Sequence, residues 1–456
     1  MAYYILKSYK LKTEPFNIFE ALKNEKNCFF LDSSLNYDYS LGRYSFLGID
    51  PFYILTTKDR DPLEQLRELL DKYKISACGN SPPFLAGAVG YFGYDLGFSL
   101  EDKLKKIPRE DFGIPTCFFG FYNTIIGIDH LKRLLYLCST GFPEKNYRLA
   151  KSLADLNFKK VYRLVSRANT CRENADRDKL KATALGLKSN FSRQDYFSAV
   201  NQAKRYIKAG DIYQVNLSQR FQAETALSAS QIYRRLRKIS PSYFSAYFDA
   251  GDFQIISSSP ERFLSLGKDK VITRPMKGTR PRSKDKLKDS RLKKELLESA
   301  KDKAELVMIV DLERNDLGKV CSYDSIKVDS LRELEEYSTV FQTTATVSGC
   351  LHKDRDRMDL LRASFPGGSI TGCPKIRAME VIEELEPDRR LIYTGSLGYL
   401  SFSGGMDFNI LIRTILKKDN KVYFGVGGGI VADSEPEKEY QETLVKARAM
   451  IEALKR

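Results

Sequence analysis

Short runs of β-branched and aromatic residues, closed by Gly, Pro or Asp, recur through the first 150 residues: YYILKSYKL, FYILTT, TIIGI and RLLYLCS. Such runs predict strands, whereas DPLEQLRELLDKYK spaces its apolar residues at helical intervals. Residues 151–189 turn charged and helical and end in the polar KATALGLKSN, which predicts a connection between regions 1–150 and 190–456. The second region opens with SRQDYFSAVNQAKRYIKAGD. There Ser192 predicts an N-cap, Tyr196, Val200, Ala203 and Ile207 a buried stripe, and Gly210 the stop.

Further strand-like runs follow (VNLSQRF, SAYFDA, FQIISSS, RFLSLG), then a charged helix from about Ser290 into the 310s. More strand-like runs (TTATVSG, IYTGSLGYLSF, FNILIRTIL, KVYFGVGGGIV) lead to a terminal helix from about Glu437. Many strands with few helices between them predict an α/β (α+β) protein: large, layered, mostly antiparallel sheets with surrounding helices.

Composition narrows the chemistry. The 456 residues are 42% hydrophobic and 12% aromatic, which suits a folded protein. No apolar run reaches the ~18–20 residues that span a bilayer, and the N-terminus lacks a signal-peptide pattern. Eight scattered cysteines without CxxC spacing suit a reducing cytoplasm. With only His130 and His352 present, a His-based triad or metal site is disfavoured, and any metal should be a hard cation held by carboxylates. The net charge of +15 raises nucleic acid as a partner, yet the densest basic stretch, residues 268–294, has interleaved acids and no recognised binding motif. A solvated face with an anion site for a small molecule explains it better.

Four constellations could carry chemistry. In the terminal helix, Tyr440, Leu444, Ala447, Ile451 and Leu454 form an apolar stripe, and Glu439, Glu442 and Lys446 share the adjacent face. Gly427, Gly428 and Gly429, just before it, would let backbone N–H groups approach an anion. Asp302 and Glu305 form a second i, i+3 acidic pair, and two such pairs facing each other would repel unless a cation sat between them. A solvated charged face is the plain alternative for both helices. Lys277 lies in TRPMKGTRPR, whose prolines and glycine predict a shaped turn; as a nucleophile it would need its pKa lowered by burial or by Arg274, Arg280 or Arg282. Glu261 follows Pro260 at the end of an apolar run and suits a general acid, Gln214 lies in a strand, and Arg413 follows one where a carboxylate could be clamped.

Taken in order, GDIYQVNLSQRF, SSSPERF, PMKGTRPR, AELVMIVDLERNDLG, FPGGSITGCPKIRAME, YTGSLGYLS, DFNILIRT and GGGIVADSEPEKEYQETLVKARAM closely resemble the chorismate-utilising enzymes. In the first region LGRYSFLGIDP and GAVGYFGYDLG resemble the N-terminal part of their component I members. The resemblance implies an active site between layered antiparallel sheets. It implies Mg²⁺ at Glu305, Glu439 and Glu442 with Asp302 nearby, and chorismate held by Tyr393, Arg413, the Gly427–Gly429 backbone, Lys446 and Thr371. Glu261 matches the acid that helps expel the C4 hydroxyl.

Two positions choose among members. The water-adding isochorismate and salicylate synthases have a lysine base where this chain has Gln214, so ammonia becomes the expected nucleophile. Anthranilate synthases usually have alanine where this chain has Lys277, and aminodeoxychorismate synthases have lysine, implied to form a covalent adduct at C2. Gln342 departs from the histidine of many members. The expectation is therefore an aminodeoxychorismate (para-aminobenzoate) synthase component I, fed ammonia by a separate glutamine amidotransferase subunit, with no nucleic-acid or membrane partner. Anthranilate synthase component I and a non-catalytic basic binding protein are the alternatives.

Overall fold

A computed structural model describes residues 3–35, 38–76, 79, 81–101, 103–104, 107, 109, 112–168, 186–337 and 340–455. Two antiparallel sheets carry the architecture. The first, of twelve strands, runs from Tyr4–Lys10 through Leu134–Thr140, Thr124–Asp129, Tyr44–Gly48, Phe29–Asp32, Phe244–Asp249, Phe253–Ser259, Thr414–Lys418, Lys421–Ile430 and Gln214–Glu224 to Gly372–Cys373, with Lys188–Ser189 also on Gln214–Glu224. The second, of ten strands, runs from Met276–Pro281 through Val340–Cys350, Lys270–Arg274, Arg262–Gly267, Met406–Asn409, Ser396–Ser401, Gly87–Phe92 and Cys117–Tyr122 to Tyr53–Thr57; Lys327–Glu336 also pairs with Val340–Cys350.

Strands early and late in the chain pair directly: Phe29–Phe248 and Leu31–Ala246 are partners in the first sheet, Gly90–Gly398 in the second. Residues 1–150 and 190–456 thus share both sheets. Of the 151–189 connection, the helix Tyr147–Ala168 enters it and residues 169–185 lie outside the described residues.

Period-2 alternation sorts the strands into layers. Phe29, Phe46, Phe248 and Ile255 point between the sheets, where they meet Tyr91, Phe118 and Tyr399 of the second. Their neighbours Phe30, Leu47, Tyr247 and Ile256 point outward under the helices Pro15–Leu22, Ala229–Ile239 and Pro436–Leu454. Leu63–Lys72, Ala300–Gly318 and Arg357–Ser364 cover the second sheet. Sheets covered on both faces explain why many strands are apolar throughout rather than alternating. Each buried aliphatic or aromatic side chain contributes roughly 1.5–3 kcal/mol.

The helix Arg193–Ala209 begins as expected, with Ser192 Oγ accepting the Asp195 N–H, and ends at Gly210 with φ of 83°. Elsewhere local structure differs from expectation. The charged helix is two, Lys286–Glu298 and Ala300–Gly318, because Ser299 turns extended (ψ 112°) and its hydroxyl caps the second by accepting the Asp302 N–H. PMKGTRP is a strand with a bulge rather than a turn: its register shifts between Lys277 and Thr279, at Gly278 with φ of 74°. FNILIRTIL is no single strand. Met406–Asn409 belongs to the second sheet and Thr414–Lys418 to the first, and the chain crosses between them at residues 410–413 with Arg413 left-handed (φ 50°).

Candidate active site

A cleft of about 1020 Å³, solvent mouth included, opens between the facing ends of the two sheets. Its walls are Met276–Arg280 and Gln342 from the second sheet, Asn216, Gly425, Val426, Gly427 and Gly429 from the first, and the helices Ala300–Gly318 and Pro436–Leu454. Lys277, Glu261, Tyr393, Arg413, Gly427, Gly429, Lys446, Asp302, Glu305, Glu439 and Glu442 all line it.

Three expected residues do not. Thr371 is fully buried with its hydroxyl donated to the Gly367 carbonyl at 2.9 Å, so it shapes a turn instead of facing a ligand. Gly428 turns toward the terminal helix, where a Cβ would lie 3.3 Å from Glu439 Oε2. Gln214 is buried behind Gly429, whose Cβ would sit 2.9 Å from its Nε2, and among the described residues neither end of its amide has a hydrogen-bond partner.

Lys277 and Glu261 meet at Ser369. Ser369 Oγ donates to Glu261 Oε1 at 2.6 Å, and Lys277 Nζ donates to the Ser369 carbonyl at 2.9 Å. Burial raises the Glu261 carboxyl to about 7 against the opposing pull of Ser369 and Lys277, so it holds its proton near neutral pH. Burial lowers Lys277, Glu305 and Glu261 resist, and Lys446 assists. The arginines expected to do this are engaged elsewhere: Arg274 with Glu333 (2.8 Å), Arg280 with Asp302 (3.0 Å) and Arg282 with Asp289 (2.9 Å). Ser369 was not singled out in the sequence; the signal was there in GGSITG, where glycines admit a tight turn two residues before Thr371.

Anion-holding groups line the other side. Arg413 Nη2 donates to Gln342 Oε1 at 3.0 Å, its plane lies over the Tyr337 ring, and its buried Nη1 has no partner among the described residues. That donor suits a carboxylate. Pairing of Lys421–Ile430 with Thr414–Lys418 ends at Tyr423, leaving the far edge of residues 424–430 open beside the cleft. Lys446 uses this edge, donating to the Gly427 carbonyl at 2.8 Å. The Tyr393 ring lies flat on Gly425, where a Cβ would fall 2.3 Å from its Cγ.

The acids surround lysines. Lys301 Nζ is 3.9 Å from both Glu305 and Glu439, and Lys446 Nζ is 2.7 Å from Glu442. Burial raises the carboxyls of Glu305 and Glu439, with Glu442's charge adding to each, while Lys446 chiefly lowers Glu442. Ser434 Oγ also donates to Glu439 at 2.6 Å. Asp302 is already neutralised by Arg280. Among the described residues no three His, Cys, Asp or Glu side chains form a ready-made metal cage. The donor set still fits a hard divalent cation: all oxygen, mutually repelling, and already gathered around the ammonium of Lys301. To fit these contacts the terminal helix buries Glu439, Thr443, Ala447 and Met450, while Tyr440, Leu444 and Ile451 of the expected stripe are only half-buried.

No helix among the described residues is long and apolar enough to cross a membrane. Residues 27–452 match the family model described as chorismate binding enzyme. The chain is 38% identical to an anthranilate synthase component 1 of Acetivibrio thermocellus, over 96% of this chain and 92% of that one. It is 39% identical to an aminodeoxychorismate synthase component 1 of Escherichia coli (strain K12), over 88% and 84%. A crystal structure of anthranilate synthase component I from Streptococcus pneumoniae TIGR4 superposes with a TM-score of 0.78 at 32% identity, covering 90% of this chain and 92% of that one. The family match over residues 27–452, together with relatives 38–39% identical along nearly the whole chain, makes this protein a member of the chorismate-binding family, an enzyme that acts on chorismate.

Proposed function

We propose that the chain is aminodeoxychorismate synthase component I, converting chorismate and ammonia to 4-amino-4-deoxychorismate for para-aminobenzoate and folate synthesis. Lys277 carries this choice: its amine lies within the cleft, 2.9 Å from the Ser369 carbonyl and next to Glu261 through the same serine. Burial lowers its pKa and so favours the neutral, nucleophilic amine. Anthranilate synthases resemble this chain with alanine at that position, which could not form the adduct.

In this reading Arg413, the open edge at 424–430 and Lys446 hold the substrate carboxylates, and Tyr393 closes one wall. The Lys277 amine attacks C2, both conjugated ring double bonds shift by one position, and the C4 hydroxyl departs as water with the Glu261 proton. Ammonia then adds at C4, both double bonds return as the C2–N bond to Lys277 breaks, and the proton shed by the new ammonium restores Glu261. Gln214, an amide without basic character, cannot activate water in ammonia's place. Mg²⁺ held by Glu305, Glu439 and Glu442 would neutralise a substrate carboxylate. A glutamine amidotransferase subunit supplies the ammonia, as the component 1 names of relatives suggest. The scattered cysteines support a cytoplasmic setting.

Anthranilate synthase component I is the second reading, favoured by a relative of that name at 38% identity over 96% of the chain. Intact-protein mass measurement after incubation with chorismate without ammonia separates the two. The proposal expects a chorismate-derived adduct that Lys277→Ala abolishes; a wild-type chain that stays unmodified overturns the covalent step.

A further inference from the structure

We propose that Glu313, which does not reach the cleft, is a positioning residue for its chemistry. It fixes the Gly368–Ile370 turn and, through Ser369, the placement of Glu261 relative to Lys277. Glu313 is 2% exposed on the last turns of the helix Ala300–Gly318. Its Oε1 accepts the Gly368 N–H at 3.1 Å and its Oε2 accepts the Thr273 hydroxyl of the second sheet at 3.3 Å. The turn is pressed onto the helix: a Cβ at Gly368 would fall 2.7 Å from Leu312 Cδ2 and 3.1 Å from Glu313 Oε1.

The next residue, Ser369, presents its hydroxyl to Glu261 and its carbonyl to Lys277. One carboxylate therefore sets the orientation of the only described residue that bonds both groups. One turn further along the helix, Asp316 secures the other end of the same loop: Lys375 Nζ donates to Asp316 at 2.5 Å and to the Ser364 carbonyl at 2.7 Å. The helix that begins with Asp302 and Glu305 in the cleft wall thus ends by clamping the loop on its opposite side. An ordinary buried acid would be served by any donor. Here the donor is a turn N–H adjacent to Ser369, and the charged groups acting on Glu313 are Asp316, Lys375 and Glu261 itself.

The inference rests on the chorismate-plus-ammonia reaction above, and kinetics of the full chain on those substrates test it. Glu313→Ala should lower kcat about tenfold or more with KM for chorismate within about twofold, because Arg413 and Lys446 sit on other elements. Glu313→Gln, whose amide oxygen can still accept the Gly368 N–H, should recover most of kcat. In a Ser369→Ala background, Glu313→Ala should cost less than about twofold more, since both act through one contact. If Glu313→Ala does not fold, Gly368→Ala pushes the same turn away from Leu312 and Glu313 and should show the same kcat loss. Additive losses, a Gln variant no better than Ala, or equal changes in kcat and KM would overturn the inference. A wild-type chain that leaves chorismate unchanged overturns the reaction beneath it instead.

Discussion

Gln342 Oε1 accepts a hydrogen bond from Arg413 Nη2 at 3.0 Å, and its amide nitrogen donates to Thr279 Oγ1 at 3.3 Å. The glutamine therefore holds the guanidinium in place and leaves Nη1 for a ligand. Gln342→Ala removes a hydrogen bond to a charged group and loosens Arg413. KM for chorismate should rise about tenfold, equivalent to roughly 1.5 kcal/mol, with kcat changing much less. Steady-state kinetics check the split.

Glu261 is buried, and its pKa is raised from 4.5 to about 7, so a large share of it still carries a proton at neutrality. As the general acid it loses its proton as pH climbs, so activity should fall above about pH 7, and Glu261→Gln should be inactive at every pH. Stability carries the matching sign. A carboxyl with a raised folded pKa stabilises most at low pH and loses that contribution as pH rises from about 4.5 through about 7, about 3 kcal/mol in all. Glu261→Gln should therefore weaken the fall in urea-unfolding free energy between pH 5 and pH 8; an unchanged slope would count against this assignment.

Gly425 carries the flat face of Tyr393, with no room for a methyl group. Gly425→Ala must displace the ring or the strand. We expect a loss of about 1–3 kcal/mol in chemical denaturation and a raised KM, because Tyr393 lines the cleft. In a Tyr393→Ala background, Gly425→Ala should add little further stability loss, because the ring it would strike is gone.

Metal binding should depend on the glutamates around Lys301. Mn²⁺ titration followed by electron paramagnetic resonance should show binding to the wild type, and Glu439→Gln should weaken it at least about tenfold. Binding unchanged in Glu305→Gln, Glu439→Gln and Glu442→Gln alike would move any cation elsewhere.

Several of these relationships were legible in the sequence because they are short range. Glu439, Glu442 and Lys446 share one helical face whatever surrounds them, and Lys446 does pair with Glu442. Strands and the Ser192 cap followed from local patterning for the same reason. What escaped depended on tertiary contact. FNILIRTIL reads as one strand because Ile410 and Leu411 are buried even while crossing between sheets. The buried side of the terminal helix runs through Glu439, which lines the cleft, and Thr443, which accepts the Gln219 amide, polar residues that a hydrophobic stripe cannot flag. Ser369 is not legible in the sequence because its role comes from two partners, Glu261 and Lys277, that are 108 and 92 positions away.

The product formed from chorismate, ammonium and Mg²⁺ by the purified chain tests the central claim most directly. Chromatography with mass detection should find 4-amino-4-deoxychorismate, lost in Lys277→Ala. Anthranilate together with pyruvate would contradict the assignment.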